Sequence, residues 1–108
     1  MKLNYQNSKI QKLVSDNKKV VKRFGIDVAD KIYMRLQYLK STSTLKDVSS
    51  DVPIKRHKLT GNYKNHFAIK VNDKLRIIFK PNSEFDNKEY RLEEIDEINL
   101  VDIKDYHE

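Results

Sequence analysis

The sequence contains no cysteine and no tryptophan, and it has only two glycines and two prolines among 108 residues. The absence of cysteine excludes disulfides, thiolate metal sites and cysteine nucleophiles. No apolar stretch approaches the roughly 20 residues that a membrane-spanning helix needs, and the polar beginning of the chain does not have the pattern of a signal peptide. We therefore expect a single cytoplasmic domain over residues 1–108, with no membrane partner.

Charge is abundant and unevenly distributed. Charged residues make up 35% of the chain, and the formal net charge is +6. Between residues 55 and 80, eight basic side chains accompany one acid, Asp73, whereas residues 84–97 are predominantly acidic. A basic block of this kind is typical of proteins that bind a polyanion. A solvated, lysine-rich surface would give the same composition.

The first half of the chain predicts helices. One helix is expected over Ser8–Ser15, with Ser8 as its N-cap, and a further helical segment is expected between Asp16 and Gly25. The strongest helix follows, with Asp27 as its expected cap. Its apolar residues recur at helical spacing: Ala29, Ile32, Tyr33, Leu36 and Leu39.

The second half predicts strands separated by loops. Alternation of apolar and polar residues indicates half-buried strands. The expected elements are an edge strand at 3–6, a loop at 41–53, strands at 67–71 and 75–79 around a turn at 72–74, an acidic excursion at 81–97, and a final strand at 98–103. Helices followed by strands predict a two-layer α+β domain, with N-terminal helices packed on a small antiparallel sheet. Its expected core includes Ile32, Leu36, Leu39, Ile69, Leu75, Ile77 and Phe79.

Two histidines and an arginine suit the cleavage of RNA without a metal. That reaction needs a base for the ribose 2′-OH, an acid for the departing 5′ oxygen and a cation for the phosphate charge. His57 and His107 are candidates for proton transfer, and Arg76 is the candidate cation. No histidine pair has the spacing of a metal site, so we expect no metal and no cofactor. A solvated strand histidine and a frayed C-terminal tail are the plainer explanations of His57 and His107.

Three segments, in order, resemble one known family. Residues Arg56–Val71 resemble the H-x-L-K-G-D-R-x-G block of the HigB-type toxins, which belong to the RelE/ParE superfamily of toxin–antitoxin systems. Leu75–Phe79 resembles the W-R-I-T-F strand of that family, and the end of the chain, Asp105-Tyr106-His107, resembles its terminal D-Y-H. Thr60 and Asn72 depart from the family pattern, which often has a lysine and a second arginine there.

The resemblance implies a microbial RNase-like (RelE-like) fold and an endoribonuclease that cuts mRNA in the A site of the 30S ribosomal subunit. It also implies a helix-turn-helix antitoxin of the HigA type, with operator DNA bound only through that antitoxin. The catalytic residues implied by position are His57, Arg76, Tyr106 and His107. We expect these four to converge on one basic concavity, and we expect additional RNA contacts from Lys58, Lys64, Lys70 and Lys74.

Two other functions remain open at this point. A ParE-type toxin would keep the fold but poison DNA gyrase without cutting RNA. A basic domain that binds RNA or DNA without catalysis would need the lysines but neither histidine. Cleavage of message on ribosomes by the purified protein distinguishes the first hypothesis from both alternatives.

Overall fold

The computed structural model describes residues 1–106, and within them three α-helices pack on one face of a five-stranded sheet. The helices are α1 (Ser8–Val14), α2 (Asn17–Phe24) and α3 (Ile26–Ser41). The strands are β1 (Lys2–Tyr5), β2 (His57–Lys58), β3 (Phe67–Lys70), β4 (Leu75–Pro81) and β5 (Glu97–Asp105), in the spatial order β1-β5-β4-β3-β2. The predicted two-layer α+β class is confirmed.

The direction of one strand differs from the expectation of a wholly antiparallel sheet. β2, β3, β4 and β5 pair antiparallel in turn, but β1 lies parallel to β5, with Lys2 opposite Glu97 and Tyr5 opposite Leu100. The alternation of apolar and polar residues is the same in parallel and antiparallel strands, so it cannot predict the direction of β1. Parallel neighbours need a long connection, and here all three helices and three strands lie between β1 and β5.

The helix caps also differ from those expected. Asn7, not Ser8, caps α1, because its side chain accepts a hydrogen bond from the amide of Ile10 at 3.0 Å. Asp27 lies in the first turn of α3 instead of capping it. Gly25 is the only residue between α2 and α3, and its φ of +88° suits glycine. Since Gly25 serves both helix ends, no side chain is available to cap α3.

The main core lies between the helices and the sheet. All seven residues predicted for it are buried: Ile32, Leu36, Leu39, Ile69, Leu75, Ile77 and Phe79. A second, smaller cluster lies on the other face of the sheet, where Leu59, Ala68 and Ile78 are buried under Tyr63 and Tyr106. Within the described residues, one face of the sheet is therefore covered by helices, and the other is covered only by the loop that carries Tyr63 and by Tyr106, which follows β5.

A β-bulge shapes the long final strand. Ile78 lies opposite Asp102 and Phe79 lies opposite Leu100, so Val101 is the extra residue. A bulge of this kind breaks strict alternation and re-aims the side chains beyond it. Leu100 and Ile103 both reach the main core although they are three residues apart. β5 is longer than the predicted strand at 98–103, and its last residues extend along β4.

The loops are held by specific hydrogen bonds. The side chain of Asn72 accepts bonds from the amides of Lys74 and Leu75 at 2.9 and 2.7 Å, which closes the predicted turn between β3 and β4. Arg56 donates to the carbonyl oxygens of Leu45 and Val48 at 2.8 and 3.0 Å. Arg56 thus fixes the loop that precedes β2. The acidic excursion contains two short 3₁₀ turns, at Ser83–Phe85 and Leu92–Glu94.

We expect Leu39→Ala to lower the free energy of unfolding by about 2–5 kcal/mol, the usual cost of truncating a buried leucine. Leu39 is fully buried in α3, whereas Met34 of the same helix is 64% exposed. Met34→Ala is therefore the matched control and should change stability by less than about 0.5 kcal/mol. Urea denaturation measures both. Equal effects of the two substitutions would contradict the packing described here.

Candidate nucleic-acid interface

Three cationic residues lie side by side across the face of the sheet that the helices leave open. Arg76 of β4 is paired with Lys70 of β3 on one side and with Lys104 of β5 on the other. We call Lys70, Arg76 and Lys104 the cationic row. Like charges directly opposite one another destabilise a sheet, so a row of three is expected where an anionic ligand binds.

Arg76 is anchored through one of its three nitrogens. Its Nη1 donates to the carbonyl oxygens of Asn72 and Leu75 at 2.6 and 3.1 Å. Within the described residues, Nε and Nη2 have no hydrogen-bond partner. These two nitrogens form an edge of the guanidinium fork that can grip two oxygens of a phosphate or carboxylate. The side chain is thus held in place while part of its donor capacity is available.

Lys70 is partly neutralised by an acid from the neighbouring turn. Its Nζ lies 3.0 Å from Oδ1 of Asp73, whose carboxyl group is almost fully exposed. The hydrogen bond and the charge of Lys70 lower the pKa of Asp73, and Arg76 and Lys31 lower it further. Asp73 therefore carries its negative charge beside the cationic row at neutral pH.

Aromatic side chains cover the part of the sheet next to the cationic row. The ring of Tyr63 makes edge contacts with His66 and Tyr106, at centroid distances of 5.5 and 5.6 Å. The ammonium group of Lys104 lies 5.4 Å from the centre of the Tyr63 ring, and its Nζ is 3.4 Å from the Tyr63 hydroxyl oxygen. We call Tyr63, His66 and Tyr106 the aromatic cluster. Cations beside aromatic rings suit single-stranded nucleic acid, which offers phosphates and exposed bases.

His57 lies on the open face but in a different position from Arg76. His57 pairs with Ala68, which lies two residues before Lys70 in β3 and on the same face of the sheet. It also lines an open cleft of about 650 Å³, together with Lys58, Lys88 and other residues. Its Nδ1 is 3.0 Å from the carbonyl oxygen of Lys55. A neutral imidazole that donates through Nδ1 has its basic lone pair on Nε2.

The other predicted site residues are distributed more widely. Tyr106 belongs to the aromatic cluster, and its amide donates to the carbonyl oxygen of Lys74 at 3.3 Å. His107 lies outside the described residues. Lys64 and Lys74 are exposed in loops, on either side of β3. Lys58 pairs with Phe67, a core residue, so the register places it on the helix side of the sheet instead of the open face.

Three residues of this surface were not singled out by sequence reasoning: Tyr63, His66 and Lys104. Lys104 lies beyond the bulge at Val101, and alternation counted from the core residues Ile98 and Leu100 would have placed it on the helix side of the sheet. Tyr63 closes a 3₁₀ turn and His66 precedes β3, and no periodicity applies at such positions. Only the folded loop brings their rings over the sheet.

The described part of the chain, residues 1–106, contains no group of three histidine or acidic side chains that could hold a metal ion. Within the same residues no helix has the length and apolar character needed to cross a membrane.

A family model for the RelE-like toxin of the type II toxin–antitoxin system HigB matches residues 3–95. The match spans most of the sequence and contains His57 and Arg76, and it ends before β5. The chain belongs to this HigB-like family of RelE-like toxins. No curated protein sequence matches the chain.

Two solved structures share the fold. The YoeB/ParE toxin from Agrobacterium tumefaciens superposes with a TM-score of 0.60 at 12% sequence identity, over 99% of this chain and 100% of that one. A chain of the YoeB–YefM complex from Staphylococcus aureus superposes with a TM-score of 0.57 at 13% identity, over 100% of this chain and 98% of that one. The arrangement of helices and sheet is therefore that of the YoeB and ParE type of toxin.

We expect Lys70→Gln to raise the pKa of Asp73 towards its ordinary value, because the first cause of its lowering is removed. A lowered pKa in the folded state means that the pair stabilises the fold above the unfolded pKa, and that this contribution is lost as pH falls through the lowered value. The contribution is small because the pair is exposed to water. A carboxyl titration followed by NMR measures the pKa.

Lys74→Gln is the matched control for this measurement, since Lys74 follows Asp73 directly but is not among the groups that lower its pKa, which are Lys70, Arg76 and Lys31. The titration of Asp73 should be nearly unchanged in that variant. If the pKa of Asp73 shifted equally in both variants, the general positive potential of this surface, and not the pair with Lys70, would be the cause of the lowered pKa.

Proposed function

We propose that this toxin is an endoribonuclease that cuts mRNA on the ribosome, in the A site of the 30S subunit. The observation that carries the proposal is the cationic row beside the aromatic cluster, on the one face of the sheet that no helix covers. Membership of a RelE-like toxin family supports it. The ribosome would hold the message extended, so the toxin itself needs few catalytic groups.

The proposed reaction uses the RNA itself as the nucleophile. The 2′ oxygen forms a bond to the adjacent phosphorus as its proton passes to a base. The bond from phosphorus to the 5′ oxygen breaks as an acid protonates that oxygen. The products are a 2′,3′-cyclic phosphate and a 5′-hydroxyl, and no metal or cofactor takes part.

Each predicted site residue has a proposed role in this reaction. Arg76 would stabilise the charge that develops on the phosphate, because its Nη1 is anchored and its other donors have no partner among residues 1–106. His57 and His107 would transfer protons, with Nε2 as the basic atom of His57. Tyr106 would stack on a splayed base. Lys64, Lys70 and Lys74 would hold flanking phosphates. Lys58 lies on the helix side of the sheet and would reach RNA only at the cleft that it lines with His57.

The proposed partner that restrains the toxin is a cognate antitoxin with a helix-turn-helix domain, and operator DNA would be bound only through that antitoxin. The support is the type II system named by the family match and the solved complex of a YoeB toxin with YefM. The activity would take place in the cytoplasm, where ribosomes and message are present.

We expect Arg76→Ala to lower the rate of message cleavage on purified ribosomes by a factor on the order of 10²–10³, the usual cost of losing one donor to a developing negative charge. Ribosome binding should fall much less. Arg76→Lys is the informative companion variant, because it keeps the charge but loses the fork. It should recover only part of the rate.

The same variants decide between the nuclease and the gyrase poison. Expression of the wild type without an antitoxin should arrest growth, and expression of Arg76→Ala should not. If Arg76→Ala still arrests growth while message on ribosomes stays intact with the wild type, the nuclease proposal is wrong and the ParE-type function takes its place.

We expect Lys64→Ala to weaken association with RNA and to reduce the slope of log K against log salt by about 0.7, which corresponds to one phosphate contact with a single strand. Lys22→Ala is the matched control, since Lys22 is an exposed lysine of α2, in the helix layer. It should leave the slope unchanged. Fluorescence anisotropy with labelled RNA over a range of salt concentrations measures both slopes.

A further inference from the structure

A second cleft opens where the acidic excursion meets the open face of the sheet. Six of its lining residues matter here: Lys64, His66, Lys80, Phe85, Asp86 and Tyr90. We call this the acidic-loop cleft. Within residues 1–106, the predicted catalytic residues His57, Arg76 and Tyr106 do not line it. It shares Lys64 with the predicted RNA-binding residues and His66 with the aromatic cluster.

The size and walls of the cleft suit one planar base. Its volume is about 230 Å³, below the roughly 300–1,000 Å³ of pockets that enclose drug-sized ligands. Phe85 and Tyr90 form one wall, with their rings in an edge contact at 5.7 Å. His66 brings a third ring, fixed by the contact of its Nδ1 with the carbonyl oxygen of Lys64 at 2.9 Å. Rings of this kind offer stacking surfaces that accept any base.

The hydroxyl group of Tyr90 has an unmet hydrogen-bonding capacity. Its oxygen is buried and has no hydrogen-bond partner within the described residues. A tyrosine hydroxyl is protonated at neutral pH at its ordinary pKa, and burial raises the pKa of Tyr90 further, so the group can donate. Buried polar groups in proteins are nearly always paired. Tyr90 lines the cleft, so a bound ligand whose acceptor reaches this oxygen would satisfy the hydroxyl.

The cations of the cleft suit the phosphate that accompanies a base. Lys80 lies at the end of β4 beyond Ile78, on the same side of the strand as Arg76, and Lys64 lies on the loop above it. The ammonium group of Lys80 is 3.3 Å from Oδ1 of Asp86. The carboxylate of Asp86 thus occupies the position of an anion beside Lys80, and a phosphate would compete with it.

We propose that the acidic-loop cleft is a second RNA subsite, which takes one base between the rings and the neighbouring phosphate at Lys80 and Lys64. The inference rests on the proposed function, since it supplies the path of the same RNA strand beyond the reacting phosphate. The aromatic cluster links the two positions, because Tyr63 touches both Tyr106 and His66. The strand would therefore run from the cationic row, past Tyr63, into the cleft.

The test is the affinity of the purified full-length protein for a fluorescein-labelled single-stranded RNA oligonucleotide, measured by anisotropy over a range of salt concentrations. Tyr90→Leu should weaken binding by about five- to hundredfold, the range for loss of one stacking ring. Tyr90→Phe keeps the ring and loses only the hydroxyl group, so it should weaken binding less. Thermal unfolding of both variants confirms that they are folded.

Lys80→Gln should reduce the salt slope by about 0.7, as expected for one phosphate contact with a single strand. Asp86→Asn should act in the opposite direction and strengthen binding, because the competing carboxylate is removed. Lys22→Gln is the control for a change of charge alone. If folded Tyr90→Leu and Lys80→Gln bind RNA as the wild type does, the second subsite does not exist.

Cleavage of message on ribosomes separates this inference from the proposed function. If the wild type cuts message but the cleft variants bind RNA normally, only the subsite is overturned. If the wild type cuts no message while Tyr90→Leu still weakens RNA binding, the nuclease proposal fails and the cleft stands as an RNA-binding site. If the wild type neither binds the oligonucleotide nor cuts message, both are overturned.

Discussion

The pairing of β4 with both of its neighbours is the constraint on which the rest of the molecule depends. Its alternate side chains Leu75, Ile77 and Phe79 are buried under the helices. Arg76, Ile78 and Lys80 point the other way, towards the open face. A slip of one residue in the register would exchange the two sets and place charged groups in the core. The burial that stabilises the fold therefore also fixes where the cations lie.

Much of the fold follows from local periodicity, and the exceptions have a common cause. The helical spacing of Ile32, Leu36 and Leu39 and the alternation of β3 and β4 can be recognised directly, and these residues are buried as predicted. The parallel direction of β1, the bulge at Val101 and the double role of Gly25 could not be recognised. Each depends on which segments pack next to one another in the folded protein. The spacing of apolar residues within one segment gives no information about its neighbours.

The residues of the candidate site differ in the same way: those on a regular strand could be predicted, and those on a loop could not. Arg76 could be identified because its strand alternates clearly, whereas Lys104 could not, because the bulge at Val101 shifts the alternation of β5 before Lys104. Tyr63 and His66 could not be identified, since they lie on a loop whose position over Ala68 and Ile78 exists only in the folded molecule. The chemistry of RNA cleavage pointed to His57 and His107, the family resemblance supported both and added a role for Tyr106, and the catalytic roles of all three remain predictions.

Carboxylates beside the cations of the open face limit what this surface can bind. Asp73 pairs with Lys70 and Asp86 pairs with Lys80, at 3.0 and 3.3 Å. At Lys70 or Lys80 a single phosphate must displace a carboxylate that is already in place, so it gains little by binding there. An RNA strand with several phosphates can contact Lys70 and Lys80 at the same time. Each contact after the first is intramolecular, so its entropic cost is much smaller. The paired acids thus favour an extended polyanion over small anions, while they relieve the repulsion that the free cations would otherwise impose on the sheet.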